Sequence, residues 1–514
     1  MSRNPKDWDR SQLEQYFQQK MSRRMFGKSA LAATAGAMAA PVLFKSFNPK
    51  AVAAAQKALA QTQDSATAAV EAAKQFSGTT LNVVWEAGLQ AQDPLNFSGP
   101  KFEELTGVKI NTVEKPFTEL YQSQVAEHIG QTGAYDVLSM NPAWMPDFIT
   151  QGIVEPLQPF LDQYGNPADL DDYHPLYRGM MDIGGGIYGI FDDGDTIILY
   201  YRTDLFADQA NKDEFKAANG FDLAPPKTWD EYDAIQAFFT EKGGGNTWGG
   251  ASQRAPGQVY GWFSEEFRNR GGRFFDDATM DGTLSSEAGV ATLNAMLNRN
   301  KTMPPGIETW GFMEVLTAWM AGQLAMIGGT WPPIGRWSEG TTVEQLNWVP
   351  ETTVAGKVGY SVMPMGHSLH NGGFNLGVSA DSKNKEAAYL FIQWATSPSI
   401  SLERVMLPYA LRDPYRLSHY ASEEYRSRWA TAGDYLDTLK AAADTALLDI
   451  IMSGASEYNN AIDQAVTAAQ GGTSVEDALA TGDAAFNEIT DRIGRDAQMA
   501  AYQEFMAMNG SYYE

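Results

Sequence analysis

The chain has 514 residues, too many for one ordinary hydrophobic core, so two lobes or domains are the expectation. Lys and Arg number 38 against 63 Asp and Glu, a net charge of -25, which argues against nucleic acid and anionic membrane surfaces as partners and suits a soluble protein handling neutral or cationic small molecules. Cysteine is absent, which excludes a disulfide framework, a thiolate metal site and a lipid-modified N-terminal cysteine.

The N-terminus reads as an address rather than as fold. A polar lead ends in Ser22-Arg23-Arg24-Met25-Phe26-Gly27-Lys28, and an alanine-rich apolar run follows from Ser29 to Phe44. Ala51, Ala53 and Ala55 supply an A-x-A-type cleavage site. Paired arginines before a weakly apolar run look like a twin-arginine signal, read by a receptor that exports folded protein, although Gly27 stands where leucine is usual. The run is shorter than the roughly 20 residues that span a bilayer. Residues 1–55 hold nine of the basic and three of the acidic residues, so their removal takes the net charge from -25 to -31. Residues 56–77, rich in Ala, Gln and Thr, are expected to form a helical or disordered leader.

Regular structure is expected from Thr79. Residues 79–85 (TTLNVVW) alternate and are β-rich, a first strand with Trp85, Glu86 and Gly88 at its C-terminal end. Pro100 to Thr106 reads as a helix closed by Gly107. A second strand at 108–114 and a helix at 117–129 precede a third strand at 135–140, followed by Asn141, Pro142 and Trp144. This alternation implies a parallel sheet with crossover helices. In the stretch 187–206 (IYGIFDDGDTIILYYRTDLF) an acidic turn, Asp192, Asp193, Gly194 and Asp195, runs straight into an apolar strand buried on both faces. Carboxylates at the mouth of such a strand sit where open α/β sheets bind ligands. The plainer reading of the same residues is a solvated acidic turn.

Thr228 and Glu231 form a capping box that starts a helix, a purely structural signal. An aromatic helix from Val259 to Asn269 ends at Gly271-Gly272. Residues 324–327 read as a strand, with Gly328 to Pro333 as a rigid loop at its end. A strand and turn at 358–366 lead to a loop at 366–373 carrying His367 and His370, then to a second buried strand at 374–379. Ser382 opens a helix with Ala387, Leu390, Phe391 and Trp394 on one face, and the C-terminus is mostly helical with a capped start at Ser474.

Several of these stretches, in order, resemble one family: FEELTGVKI (102–110), YDVLSMNPAW (135–144), YGIFDDGDTIILYYRTDLF (188–206), PPKTWDEY (225–232), the glycine pair 271–272, GQLAMIGGTW (322–331) and NGGFNLGVSADSKNKEAAYLFIQWATSP (371–398). The family is the bacterial extracellular solute-binding proteins of the sugar-binding kind, which serve ABC importers. The resemblance implies an α/β, two-lobe periplasmic-binding-protein type II fold, with hinge crossings near 192–198 and 373–380 and a ligand cleft between the lobes. One lobe would hold 78–193 and 377–430, the other 194–376 and 431–514. The family's cleft, carried over by position, gives Trp85 and Glu86, Asn141 and Trp144, Asp195 as a carboxylate for ligand hydroxyls, Trp331 as a stacking ring, Gly373, and Arg412 within Leu411-Arg412-Asp413. Tyr188, Trp262 and Tyr360 are further candidates, with core packing as their plainer role.

That set matches sugar chemistry: rings cover the C–H face of a sugar, and Asp, Glu, Asn and Arg hold its hydroxyls. The resemblance implies a periplasmic monomer, exported by the twin-arginine machinery, that delivers a sugar or polyol to ABC permease subunits without catalysis or cofactor. Rival readings keep weight. Asp192, Asp193, Asp195 and Glu86 could serve a glycoside hydrolase, though no motif fixes a pair. The acidic balance suits a polyamine or other cation. Calcium at Asp192–Asp195 lacks the regular ligand spacing of a calcium loop. His367 and His370, in a solvated loop without a third ligand, make a poor metal site. Phosphate esters are disfavoured, because no basic cluster or glycine-rich nest falls among the cleft candidates.

Overall fold

The computed structural model describes residues 64–370 and 372–509; the arginine pair, the cleavage site and the first part of the leader lie outside the described residues. The strands are β1 (Thr80–Glu86), β2 (Lys109–Lys115), β3 (Val137–Met140), β4 (Ile190–Phe191), β5 (Ile198–Arg202), β6 (Met326–Thr330), β7 (Val358–Ser361), β8 (Leu369–His370), β9 (Asn375–Val378) and β10 (Leu447–Leu448). They form two main sheets, β2-β1-β3-β9-β4 and β6-β5-β7, with β10-β8 as a separate pair. Helices pack on both sheets, giving the mixed α/β architecture expected. Among the described residues no helix is long and apolar enough to cross a membrane.

The first sheet is parallel where the crossover pattern requires it: β1 runs parallel to β2 and to β3. It is not parallel throughout, because β9 is antiparallel to β3 and β4. The reason is topological. The chain reaches β9 from the second sheet, beside Met140 and Phe191 at the carboxyl ends of β3 and β4, without a crossover helix. Gly107 ends the helix Gly99–Thr106 with φ 74°, and its N–H donates to Glu103 O at 2.7 Å. Thr228 Oγ1 accepts from Glu231 N at 3.2 Å and starts the helix Trp229–Gly243.

Other expectations are corrected. Folded structure begins before Thr79: residues Ser65–Ala73 form a helix with Ala66, Ala69, Val70 and Ala73 buried. Gln393 Nε2 donates to Ser65 O at 3.4 Å, tying this helix to the buried helix Lys385–Thr396. Small side chains let the two backbones approach closely. Gly328, Gly329 and Thr330 belong to β6 rather than to a loop. Glycine is required at 328, where a Cβ would fall 2.4 Å from Tyr232 Oη and 2.5 Å from Ser252 Oγ. The helix expected at Ser382 starts at Lys385, because Ser382 Oγ is used in the loop, donating to Asp136 Oδ1 at 2.6 Å. His370 is not in a solvated loop: it lies in β8, paired with β10, and is 2% exposed.

Candidate functional site

Strand register determines what meets at the junction of the sheets. In the first sheet Glu86 pairs with Lys115, and Asn375 pairs with both Met140 and Phe191. Glu86, Asn141 and Asp192 therefore leave the sheet at its carboxyl edge. In the second sheet Ile198 pairs with Thr330 and Leu199 with Ser361. Ile197 and Trp331 thus lie at one edge of that sheet, and residues 192–197 join the two edges. Residues 369–370 and 372–374 lie antiparallel beside them: Asp192 N donates to Phe374 O at 2.8 Å and Ile197 N to Leu369 O at 3.0 Å. Between these bonds Gly373 N donates to Asp195 Oδ2 at 2.8 Å. A third segment lies against both, with Asp413 N donating to Asp193 Oδ1 at 2.8 Å. Gly373 has φ 70°, and a Cβ there would fall 2.5 Å from Asp193 O. Only glycine meets both conditions.

The acidic turn is buried, which corrects the solvated-turn reading. Asp192 and Asp193 are 0% exposed and Asp195 is partly buried. Their partners come from far along the chain. Arg404 donates to Asp192 through Nη1 and, through Nη2, at 3.0 Å. It also holds Asp93, through Nε at 3.0 Å and Nη2 at 2.6 Å. Arg412 Nε lies 2.8 Å from Asp192 Oδ2, and its Nη1 donates to Gln90 Oε1. Gln90 Nε2 donates in turn to Asp193 Oδ2 at 2.9 Å. Arg336 Nη1 donates to Asp413 Oδ1 at 2.7 Å. This buried ion network joins the segment after β1, the crossing at 192–197, the segment around Arg404 to Asp413 and the helix Pro333–Trp337 that follows β6. Basic residues do gather at the junction, then, but each guanidinium faces a carboxylate.

Carboxylate oxygens of Asp193, Asp195 and Asp413 lie within 4.8 Å of one another, close enough to share a proton or a cation. Burial, and then the negative charge of Asp413, pushes Asp193 up to about 8, opposed by Arg412. Burial also raises Asp195 well above the usual carboxylate range, reinforced by Asp193 and Asp413. Glu86 is pushed up to about 7 by burial, with Arg412 opposing. This junction therefore favours protonated carboxyls, hydrogen-bond donors as well as acceptors, at near-neutral pH.

The remaining candidates are placed as follows. Trp331 is partly exposed at the end of β6, edge-on to Trp262 with centroids 5.9 Å apart and tilted against Phe312 at 5.9 Å. Trp262 is a support, 4% exposed, with Nε1 donating to Gly328 O at 3.1 Å. Asn141 is partly exposed, but its Oδ1 accepts from Ala143 N at 2.9 Å as a helix cap. Trp144 is 5% exposed and lies under Phe117 and Tyr121, with centroids at 5.5 and 5.7 Å. Trp85 is 1% exposed, and the Arg412 guanidinium covers its ring at 4.7 Å. Tyr360 is 9% exposed and shares a 3.3 Å hydrogen bond with Thr431. Tyr188 is partly exposed. His370 Nδ1 lies 3.3 Å from Thr196 Oγ1, and burial lowers the ring to about 3. His367 Nδ1 is 2.8 Å from Thr445 O, so the two histidines serve separate partners. Sequence reasoning missed Gln90, Asp93, Arg336 and Arg404, which carry no local motif, and Phe117, which it read only as part of a helix.

Comparisons with known proteins show the family and the fold. Residues 78–400 match the family model for bacterial extracellular solute-binding proteins. A Sinorhizobium fredii protein named as a probable amino-acid ABC transporter periplasmic-binding protein is 28% identical over 388 residues, 74% of this chain and 78% of that one. An Agrobacterium vitis ABC transporter solute-binding protein with bound D-mannitol shares the fold with a TM-score of 0.66 at 21% identity, covering 81% of this chain and 99% of that one. One from Agrobacterium radiobacter, in complex with ribitol, gives 0.65 at 19% identity over 80% and 99%. The chain belongs to the bacterial extracellular solute-binding proteins and has the two-lobed α/β fold of the ABC-transporter receptors it resembles.

Proposed function

We propose that this solute-binding protein captures a sugar, oligosaccharide or polyol between its lobes and delivers it to the permease of an ABC importer. The observation that carries this reading is the junction itself, where the edges of both sheets open onto one crossing. There Asp195 stands on the crossing, two residues before Ile197, and Trp331 follows β6 at the same edge of the second sheet as Ile197, a hydroxyl acceptor and an apolar ring. Bound ribitol and mannitol in structures of the same fold support this ligand class. The lobes we assign are 78–193 with 375–430 and 194–374 with 431–509, the boundary moved from 376 because all of β9 pairs within the first sheet. We assign ligand contact to Asp195, Trp331, Glu86 and Asn141. Gly373 and Arg412 act by holding Asp195 and the acidic turn, and Trp85 and Trp144 by packing behind the surface. The protein works as a monomer without catalysis, exported by the twin-arginine machinery to the periplasm. Full burial and arginine pairing of Asp192 and Asp193 weigh against a hydrolase, since neither carboxylate reaches a cleft.

A second reading, a polyamine or other cationic ligand, is favoured by Asp195, the partly exposed member of the Asp193, Asp195 and Asp413 cluster, with the two buried carboxylates behind it. The amino-acid designation of the Sinorhizobium relative adds the ammonium of an amino acid to that class. A thermal-shift screen against sugars, polyols, polyamines, amino acids and calcium separates the readings, because a ligand of the folded state raises its stability by about 2.7 kcal/mol at a hundredfold excess over Kd. A shift with a sugar or polyol, abolished in Asp195→Asn and Trp331→Ala, is the expected result. Equal affinity in both variants would refute the assigned site, and a shift with amines alone would replace the ligand class.

A further inference from the structure

Almost every ring in this aromatic-rich chain is covered. Among the described residues no other aromatic side chain is as open to solvent as Phe117, which is 45% exposed. Its position is specific. It is the first residue of the helix Phe117–Gly130, with only Pro116 separating it from the end of β2. Because Lys115 pairs with Glu86, Phe117 stands at the carboxyl edge that also carries Glu86 and Asn141. The ring lies at 34° to Trp144, centroids 5.5 Å apart, and so caps an indole that is itself 5% exposed. Trp85, the other ring of this edge, is closed off by Arg412. An aromatic face offered to the ligand from this edge is therefore that of Phe117, backed by Trp144, Tyr121 and Phe148.

We propose that Phe117 is the stacking platform of the first lobe and that it selects a cyclic sugar over an open-chain polyol. The inference rests on the sugar reading above and narrows it. A pyranose presents a flat face of C–H groups that an aromatic ring covers, and it keeps that face without ordering a flexible chain; an alditol must be ordered to present one. Trp331, on the opposite edge, supplies a second ring, so a cyclic ligand meets an aromatic face from each sheet. Phe117 packs on Trp144 yet stays 45% exposed, and cover for Trp144 alone would be served by any apolar side chain. Its exposed remainder is what a purely structural role leaves without use.

Isothermal titration of the purified protein with glucose, maltose, mannitol and ribitol tests this, using Phe117→Ala, Phe117→Leu and Phe117→Tyr with melting temperatures as fold controls. The expected result is tighter binding of a cyclic sugar than of either alditol. Phe117→Ala and Phe117→Leu should each weaken that binding about tenfold, with Phe117→Tyr close to wild type. Wild-type affinity in Phe117→Leu would reduce the ring to a cover for Trp144 and overturn the proposal. Preference for mannitol or ribitol would overturn it while leaving the sugar-or-polyol reading intact. Binding of none of the four would remove the sugar reading beneath it.

Discussion

Arg404 is the cation on which the buried junction most depends. It is 1% exposed and donates to Asp93, Asp192 and the carbonyl of Ala395, the last at 2.9 Å. Replacing it with methionine keeps much of the side-chain volume and removes every one of those donors. Asp93 would then retain Ser98 Oγ at 3.3 Å and Arg412 at 4.0 Å, and Asp192 only Arg412 at 2.8 Å. Breaking a buried ion pair by removing one partner costs about 3–5 kcal/mol, because an uncompensated charge stays behind. That is a large part of the roughly 5–15 kcal/mol that holds a typical domain folded. Urea unfolding followed by circular dichroism at pH 7 measures it. Adding Asp93→Asn and Asp192→Asn to Arg404→Met should recover more than half of the loss, since the stranded charges are then gone. A loss below about 1 kcal/mol in Arg404→Met, or no recovery in the triple variant, would refute the view that charge pairing holds this junction.

The same burial makes stability fall as pH rises. With Asp193 at about 8 and Glu86 at about 7, the folded chain near pH 6.5 keeps protons that the unfolded chain has already lost. Each proton that the folded chain still holds lowers stability by up to about 1.4 kcal/mol per pH unit, so stability falls from pH 6.5 and levels off near pH 8 as Glu86 and then Asp193 ionise in the folded state. His370, lowered to about 3, works in the opposite direction but only below the ordinary histidine range, so it does not oppose the trend in this window. Urea midpoints at the two pH values should drop for wild type and change less in Asp193→Asn; a midpoint that rises with pH would contradict the assignment. Gly373→Ala combines a positive φ of 70° with a contact at 2.5 Å to Asp193 O, and should cost about 1–3 kcal/mol and weaken ligand binding by misplacing Asp195, which unchanged titrations of both would disprove. Ala69→Leu, at a position 0% exposed in the docked N-terminal helix, should cost about 1–3 kcal/mol by overpacking, read as a lower melting temperature; no change would mean that the helix does not dock.

What could be read from sequence follows from how far each interaction reaches along the chain. The first strand was legible from its alternation, and the helix ends from Gly107 and Thr228, because those signals act within a few residues. Gly373 and Asp195 were legible only through the resemblance; nothing local says that Gly373 N would meet the Asp195 carboxylate, 178 positions away. Asp93 and Arg404 are separated by 311 positions, and no periodicity links them. For the same reason the acidic turn looked solvated when it is buried. Trp85 and Trp144 show another limit: position on a strand end locates a side chain at the edge but not what lies over it. Arg412 covers one and Phe117 the other, and both come from separate segments.

The most direct test of the central claim is calorimetric titration of the wild-type protein and Asp195→Asn with a panel of sugars and polyols. The account predicts saturable one-site binding of at least one of these compounds to wild type, and a loss of about a hundredfold or more when the Asp195 carboxyl, hydrogen-bonded on the crossing, becomes an amide. Binding that is equal in the two proteins, or binding of amino acids or polyamines with none to any sugar or polyol, would contradict it.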